Sequence, residues 1–303
     1  MRVRILDLDG GLLLQKRLLA QCGPEVVSLR DWGPRVRLGC RFGAFRRFEE
    51  ALAGALPPTP DPVLTLFGSG DFHHVSLALL RRLPGPFNLL VLDKHPDWMR
   101  GIPFLHCGTW LYHAARLPQV RHVFHVGGEL DFDNGYRRLA PWPLLGSGKV
   151  RVFPAVRTFR RGRWAGIANR PVRPEPEAET TAAHLAGLVV PHTEELARWP
   201  LYVSVDKDVL VAADAAVNWD SGCLRLREAG LILCAFVTAA RGRLAGMDLL
   251  GDWSPVRLRG LGRHLLNWLD HPSPAHDPHG AAGMNERANL ALLEAVRATA
   301  CAA

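Results

Sequence analysis

Short apolar runs of strand character punctuate the chain at Val3–Leu8, Val63–Phe67, Asn88–Leu92, His122–Val126, Val150–Phe153, Leu201–Val205 and Leu244–Leu249. Between them apolar positions return every three to four residues, the spacing of one helix face, in Val75–Leu83, Trp110–Leu117, Ala182–Trp199, Leu224–Ala240, Val256–Leu269 and Asn285–Thr299. Near-continuous apolar strands suit a sheet covered on both faces, and their alternation with helices predicts an α/β fold with a mainly parallel sheet in a three-layer α/β/α sandwich. Ligands of such a sheet bind beyond the carboxyl ends of its strands. There is no internal repeat, and residues 1–303 read as one domain. Its interruptions are an Arg-, Pro- and Glu-rich surface excursion near 157–180 and a flexible connector near 271–283, HPSPAHDPHGAAG.

Two acidic motifs stand where apolar runs end: Asp93-Lys94-His95-Pro96-Asp97 and Asp206-Lys207-Asp208. Alternate residues of an extended segment point the same way, so Asp93, His95 and Asp97 share one face, and Asp206 and Asp208 another. If the faces meet, each carboxylate pair at about 4 Å repels by roughly 4 kcal/mol at an effective dielectric of 20, which a divalent cation relieves. A third segment, Gly68-Ser69-Gly70-Asp71-Phe72-His73-His74-Val75-Ser76, also leaves a strand and opens a helix. The plainer alternatives are a strand-capping loop with Asp97 as a helix N-cap, and a simple turn at Asp206 and Asp208.

Composition narrows the classes. A chain of 303 residues with 48% hydrophobic content can bury a large core. Its net charge of +8 comes almost wholly from arginines scattered through the sequence. That spread reads as a solvated surface, so nucleic acid is not expected as a partner; the densest stretch is Arg157–Arg163, RTFRRGR. Six cysteines without CxxC spacing read as thiols of a reducing compartment. The N-terminus has no signal pattern and no run of 18 apolar residues occurs, so the expectation is a soluble cytoplasmic protein with no membrane partner.

In this order and spacing, GSGDFHHVS, DKHPD and SVDKD resemble the GGDHS, DAHxD and SxDxD motifs of the arginase/agmatinase (ureohydrolase) family. The resemblance covers about Gly68 to Leu250 and implies a parallel sheet of eight strands. It also implies a pair of manganese ions: Asp93 and Asp206 would bridge them, His95 and Asp208 would hold one, and Asp97 with His74 the other. His73 would then assist from behind as a proton donor or acceptor. Carboxylate and imidazole donors without thiolate suit manganese.

His106, in LHCGTW, resembles the pocket histidine of agmatinases and would shuttle protons. Asn218 and Asp220 fall at the distance of the family's substrate loop, and Asp252 stands one position from the acidic residue that grips the guanidinium. The Asp-Pro that follows SxDxD in the family is replaced by Val-Leu-Val-Ala. The chain therefore reads as a divergent branch: a binuclear hydrolase of a C–N bond in a small guanidino compound, releasing urea. An acylated amine is the alternative, by analogy with histone-deacetylase relatives of the same fold, and an inactive metal-binding regulator is another. The family's habit of forming trimers and hexamers implies a homo-oligomer. A different resemblance, of Leu6-Asp7-Leu8-Asp9-Gly10-Gly11 to the haloacid dehalogenase phosphatase motif, stands alone, and Asp7 and Asp9 more simply close the first strand.

Overall fold

The computed structural model describes residues 1–57, 59, 61–101, 103–128, 138–155, 171–173, 180–260, 263, 264, 267 and 275–303. Strands β1 (Arg2–Asp7), β2 (Glu25–Ser28), β4 (Val63–Leu66), β5 (Phe87–Leu92), β7 (Val120–Val126), β8 (Val150–Phe153), β9 (Leu201–Asp206) and β10 (Leu244–Leu250) form an eight-stranded sheet. Its order is β2-β1-β4-β10-β9-β5-β7-β8, and all pairings are parallel. β3 (Gly39–Arg41) and β6 (Phe104–His106) make a separate antiparallel pair.

β5 and β9 are buried at every position, which is why their sequences read as unbroken apolar runs. Leu90, Leu92, Val203 and Val205 face one core, packed with Phe236 and Leu292 from the helices Leu226–Ala239 and Pro278–Ala302. Leu89, Val91 and Tyr202 face the other, with Phe45, Phe48, Leu77 and Trp110. Register then sets what lies at the strand ends. Leu89 pairs with Tyr202 and Val91 with Ser204, so the next residues on that face, Asp93 and Asp206, emerge side by side.

The seven expected strands are present and the sheet has the expected eight. β2 escaped notice because EVVS is an edge strand with little burial, and the helix Phe42–Ala55 because its apolar face is carried by Phe45, Phe48 and Leu52 amid glycines and charges. The stretch Ala182–Trp199 is not one helix: Pro191 interrupts it, leaving Ala182–Val189 and Thr193–Arg198 around one 3-10 turn. Residues 251–259, expected to begin a helix at Val256, have no regular secondary structure. The expected connector is shorter than 271–283, because Asp277 caps a helix that starts at Pro278, its carboxylate accepting from Gly280 N at 2.7 Å. Residues 271–274 lie outside the described residues, as do Arg157–Arg163 and most of the expected excursion. Of that excursion, Val172 and Arg173 are buried, and Arg173 donates to Glu228 at 2.8 Å. No helix among the described residues is long and apolar enough to cross a membrane.

Candidate metal centre

Asp93 begins where β5 ends, and its neighbours in the DKHPD loop are fixed by backbone contacts. His95 N donates to Asp93 Oδ1 at 2.7 Å and Lys94 N to Asp208 Oδ1 at 3.1 Å. Asp97 adopts a left-handed backbone, φ 50, unusual for a non-glycine and typical of a residue held for function. Its carboxylate is tied down by Trp110 Nε1, which donates at 2.8 Å. No helix starts at Trp98, so Asp97 is not a helix cap. Asp206 closes β9 and caps the following 3-10 turn, accepting from Asp208 N at 3.1 Å.

These elements bring together two clusters. His73 Nδ1 lies 3.1 Å from Asp93 Oδ2, 3.1 Å from Asp97 Oδ2 and 3.6 Å from Asp206 Oδ2. His95 Nδ1 lies 2.7 Å from Asp208 Oδ2 and 3.9 Å from Asp93 Oδ1. His73, Asp93 and Asp206 form one group with metal-ligand spacing, and Asp93, His95 and Asp208 a second, so that Asp93 belongs to both.

The histidine doublet is resolved against expectation. His73, not His74, is the one turned to the carboxylates. His74 is fully buried beside Phe45, 5.9 Å between rings, and neither of its nitrogens has a hydrogen-bond partner. Burial, then the charges of His106 and His73, pushes it down to about 3. The 3-10 turn Gly70–Phe72 makes the difference, since it turns His73 inward two residues before the helix Val75–Arg81 starts.

Behind His73 stands an ordered chain. Asp248 accepts from Tyr202 OH at 2.8 Å and from Ser204 Oγ at 2.6 Å, and Ser204 Oγ lies 3.1 Å from His73 Nε2. The serine proton points to the carboxylate, so Oγ accepts from Nε2–H and leaves the Nδ1 lone pair for the cluster. Such a relay orients a ligating histidine and fixes its tautomer.

The donor set fits divalent cations. His73 Nδ1 and Asp93 Oδ2 are buried and face one another without a hydrogen bond of ordinary geometry. Burial raises Asp93 well above the usual carboxylate range, helped by the charges of Asp97 and Asp208, and burial with Asp208 pushes Asp206 up to about 7. Burial disfavours charge on His73 and His95, yet contact with Asp93 and Asp97, and with Asp208, outweighs it and raises both. Burial and like charge thus disfavour the bare anionic cluster, a strain that a cation would relieve. Two glycines make room: a Cβ on Gly70 would stand 2.6 Å from Asp206 Oδ2, and one on Gly251 would run into Asp206 Oδ1.

The expected substrate residues fare differently. Asp220 stays at the mouth, its side chain 60% exposed, 3.4 Å from His95 Nε2 and 2.5 Å from Lys94 Nζ. Asn218 is buried and fully engaged, accepting from Ser69 Oγ at 2.9 Å and Ser254 N at 3.0 Å and donating to Ser254 O at 2.9 Å. Asp252 is locked in the interior by Lys207 Nζ at 2.8 Å, Gln15 Nε2 at 2.6 Å and Asn289 Nδ2 at 3.1 Å. Both side chains are thus spent on contacts inside the protein, and at Gly251, where the resemblance would put the gripping acid, there is no side chain. His106 ends β6 and lines a cleft with Trp219, whose ring lies 5.6 Å from His95 and whose Nε1 donates to Asp71 at 2.9 Å. Sequence reasoning gave no role to Ser204 and Tyr202, and named Trp219 only as the middle of the Asn218–Asp220 loop. Ser204 and Tyr202 were visible as polar positions on the Asp206 face of an apolar strand. Asp7 and Asp9 serve the first strand's loop, accepting from Gly10 N and Gly11 N.

No family model matches the chain. An uncharacterized protein of Thermotoga maritima is 26% identical over 195 residues, 64% of this chain and 59% of that protein, so the match spans less than two thirds of its relative's length. Among solved structures, arginase from Bacillus subtilis superposes with a TM-score of 0.55 at 14% identity, covering 97% of this chain and 98% of the arginase. Proclavaminate amidino hydrolase from Streptomyces clavuligerus gives 0.54 at 18% identity, covering 99% and 92%. The chain has the ureohydrolase fold.

Proposed function

We propose that the chain is a two-metal hydrolase of a non-peptide C–N bond, acting on a guanidino compound and releasing urea. The observation that carries this reading is the sharing of Asp93 between the His73/Asp206 group and the His95/Asp208 group. A carboxylate common to two ligand groups would bridge ions held there, and the arginase-like fold supports the same assignment. Asp93, His73, Asp97 and Asp206 would hold one manganese ion, and Asp93, His95 and Asp208 the other. Bound there, the ions supply Lewis-acid polarisation of the substrate and a water of lowered pKa.

The remaining work belongs to the chain's own side chains. Ser204 and Asp248 keep His73 in the ligating tautomer. Trp219 and the DKHPD loop narrow the approach to His95. His106, on the cleft wall, would carry a proton to the departing nitrogen, a task suited to imidazole within hydrogen-bond or one-water reach.

The burial of Asp252 against Lys207 favours a second reading, in which the scissile group is an uncharged amide and no carboxylate grip is needed. A screen of manganese-loaded protein separates the two. Urea release identifies the guanidino reading, free amine with carboxylic acid identifies the amide one, and no turnover of either class contradicts hydrolysis.

A further inference from the structure

Arg35, Arg41, Arg47, Arg259 and Arg263 lie far apart in the sequence, yet they line one cleft of about 1060 Å³ together with His106. Among the described residues no aspartate or glutamate lines it. Part of its wall is the antiparallel pair of β3 and β6, and Trp219 connects it to His95. Five of the scattered arginines are therefore gathered in space beside the candidate metal centre.

None of the five guanidinium groups is paired with a carboxylate among the described residues. Arg263 is held by carbonyls, donating to Arg35 O, Arg259 O and, at 3.4 Å, Gly39 O, which ties Arg259 and Arg263 to the β3 side of the cleft. Arg41 lies over the exposed ring of Phe104, 5.9 Å from its centroid. Arg35, Arg41, Arg47 and Arg259 remain exposed. Three carboxylates of the surrounding elements are engaged by other cations: Glu49 by Arg81 at 2.8 Å, Asp71 by Arg37 at 2.6 Å, and Asp220 by Lys94. Unpaired guanidinium groups converging on a cleft without acids attract anions and repel cations.

We propose that the substrate of this centre carries an anionic group remote from its scissile C–N bond, a carboxylate in the simplest case, and that Arg41 and Arg47 bind it. The inference rests on the hydrolytic reading for the word substrate, and on the cleft alone for the preference in charge. It excludes compounds whose far end is an amine.

Two matched pairs test it, each pair sharing one C–N group and differing in the charge at the other end: 4-guanidinobutyrate against agmatine, and 4-acetamidobutyrate against N-acetylputrescine. Binding to the purified chain is measured by calorimetry, and turnover separately. The expected result is at least tenfold tighter binding of the carboxylate member in one or both pairs, reduced to near parity in Arg41→Ala/Arg47→Ala and shifted the same way in the milder Arg47→Gln. Equal or tighter binding of the amines, no binding of any of the four, or a carboxylate preference that survives both variants would overturn the proposal. A preference that depends on these arginines, without turnover of either pair, supports the anion site and counts against the hydrolase reading alone.

Discussion

His73 Nε2 sits 3.1 Å from Ser204 Oγ, and that contact decides which nitrogen of the ring faces Asp93. The two residues meet because Ser204 lies two positions before Asp206 on the same face of β9, with Asp248 as its neighbour in β10. Ser204→Ala removes the acceptor and frees the ring to change tautomer. Manganese affinity, read by competition with a chelator, is expected to fall about 10–100-fold, the usual cost of losing a partner behind a ligand. Unchanged affinity would mean that the relay does not orient His73.

The histidine doublet gives a second test. His73→Gln should remove at least one ion per chain, whereas His74→Leu should keep the full metal content, because His74 belongs to neither ligand group and packs against Phe45. Metal analysis of both variants checks this. Loss of metal in His74→Leu with retention in His73→Gln would reverse the assignment.

Lys207 and Asp252 form a fully buried ion pair at 2.8 Å. Removing one partner of such a pair strands a charge and costs about 3–5 kcal/mol. Asp252→Ala should therefore lower the midpoint of denaturant unfolding strongly. A stable Asp252→Ala protein altered only in KM would restore Asp252 to substrate binding.

The core built around Phe236 supplies a pH dependence. His192 packs edge-on against Phe124 and Phe153, both 5.6 Å between rings, and burial together with the Arg151 charge pushes it down to about 4. An unfolded histidine at 6.5 binds protons that the folded one refuses. Stability is thus present above pH 6.5 and lost as pH falls through about 4. His192→Gln should flatten the dependence of the unfolding constant in that window by up to about one proton. An unchanged slope, measured by denaturant titration at stepped pH, would contradict the burial of a neutral His192.

How much of this was legible before the structure depends on the kind of constraint. Strands such as β5 and β9 announce themselves because burial on both faces leaves few choices of residue, and the acidic motifs at their ends are conspicuous against that background. The roles of His73 and His74 were not legible, since a one-residue difference in a 3-10 turn reverses which ring points inward. Asp252 misled for a similar reason: neighbouring residues beyond a strand point opposite ways, and only the structure shows Lys207 waiting on the buried side. The arginine cleft was hidden by sequence distance, its members coming from residues 35–47 and 259–263.

The central claim is that Asp93 bridges two metal ions, and metal content tests it most directly. Purified chain loaded with manganese and desalted should carry two ions, measured by plasma mass spectrometry, and Asp93→Ala should carry close to none while Asp208→Ala carries about one. Two ions retained in Asp93→Ala, or none bound by the unaltered chain, would contradict it.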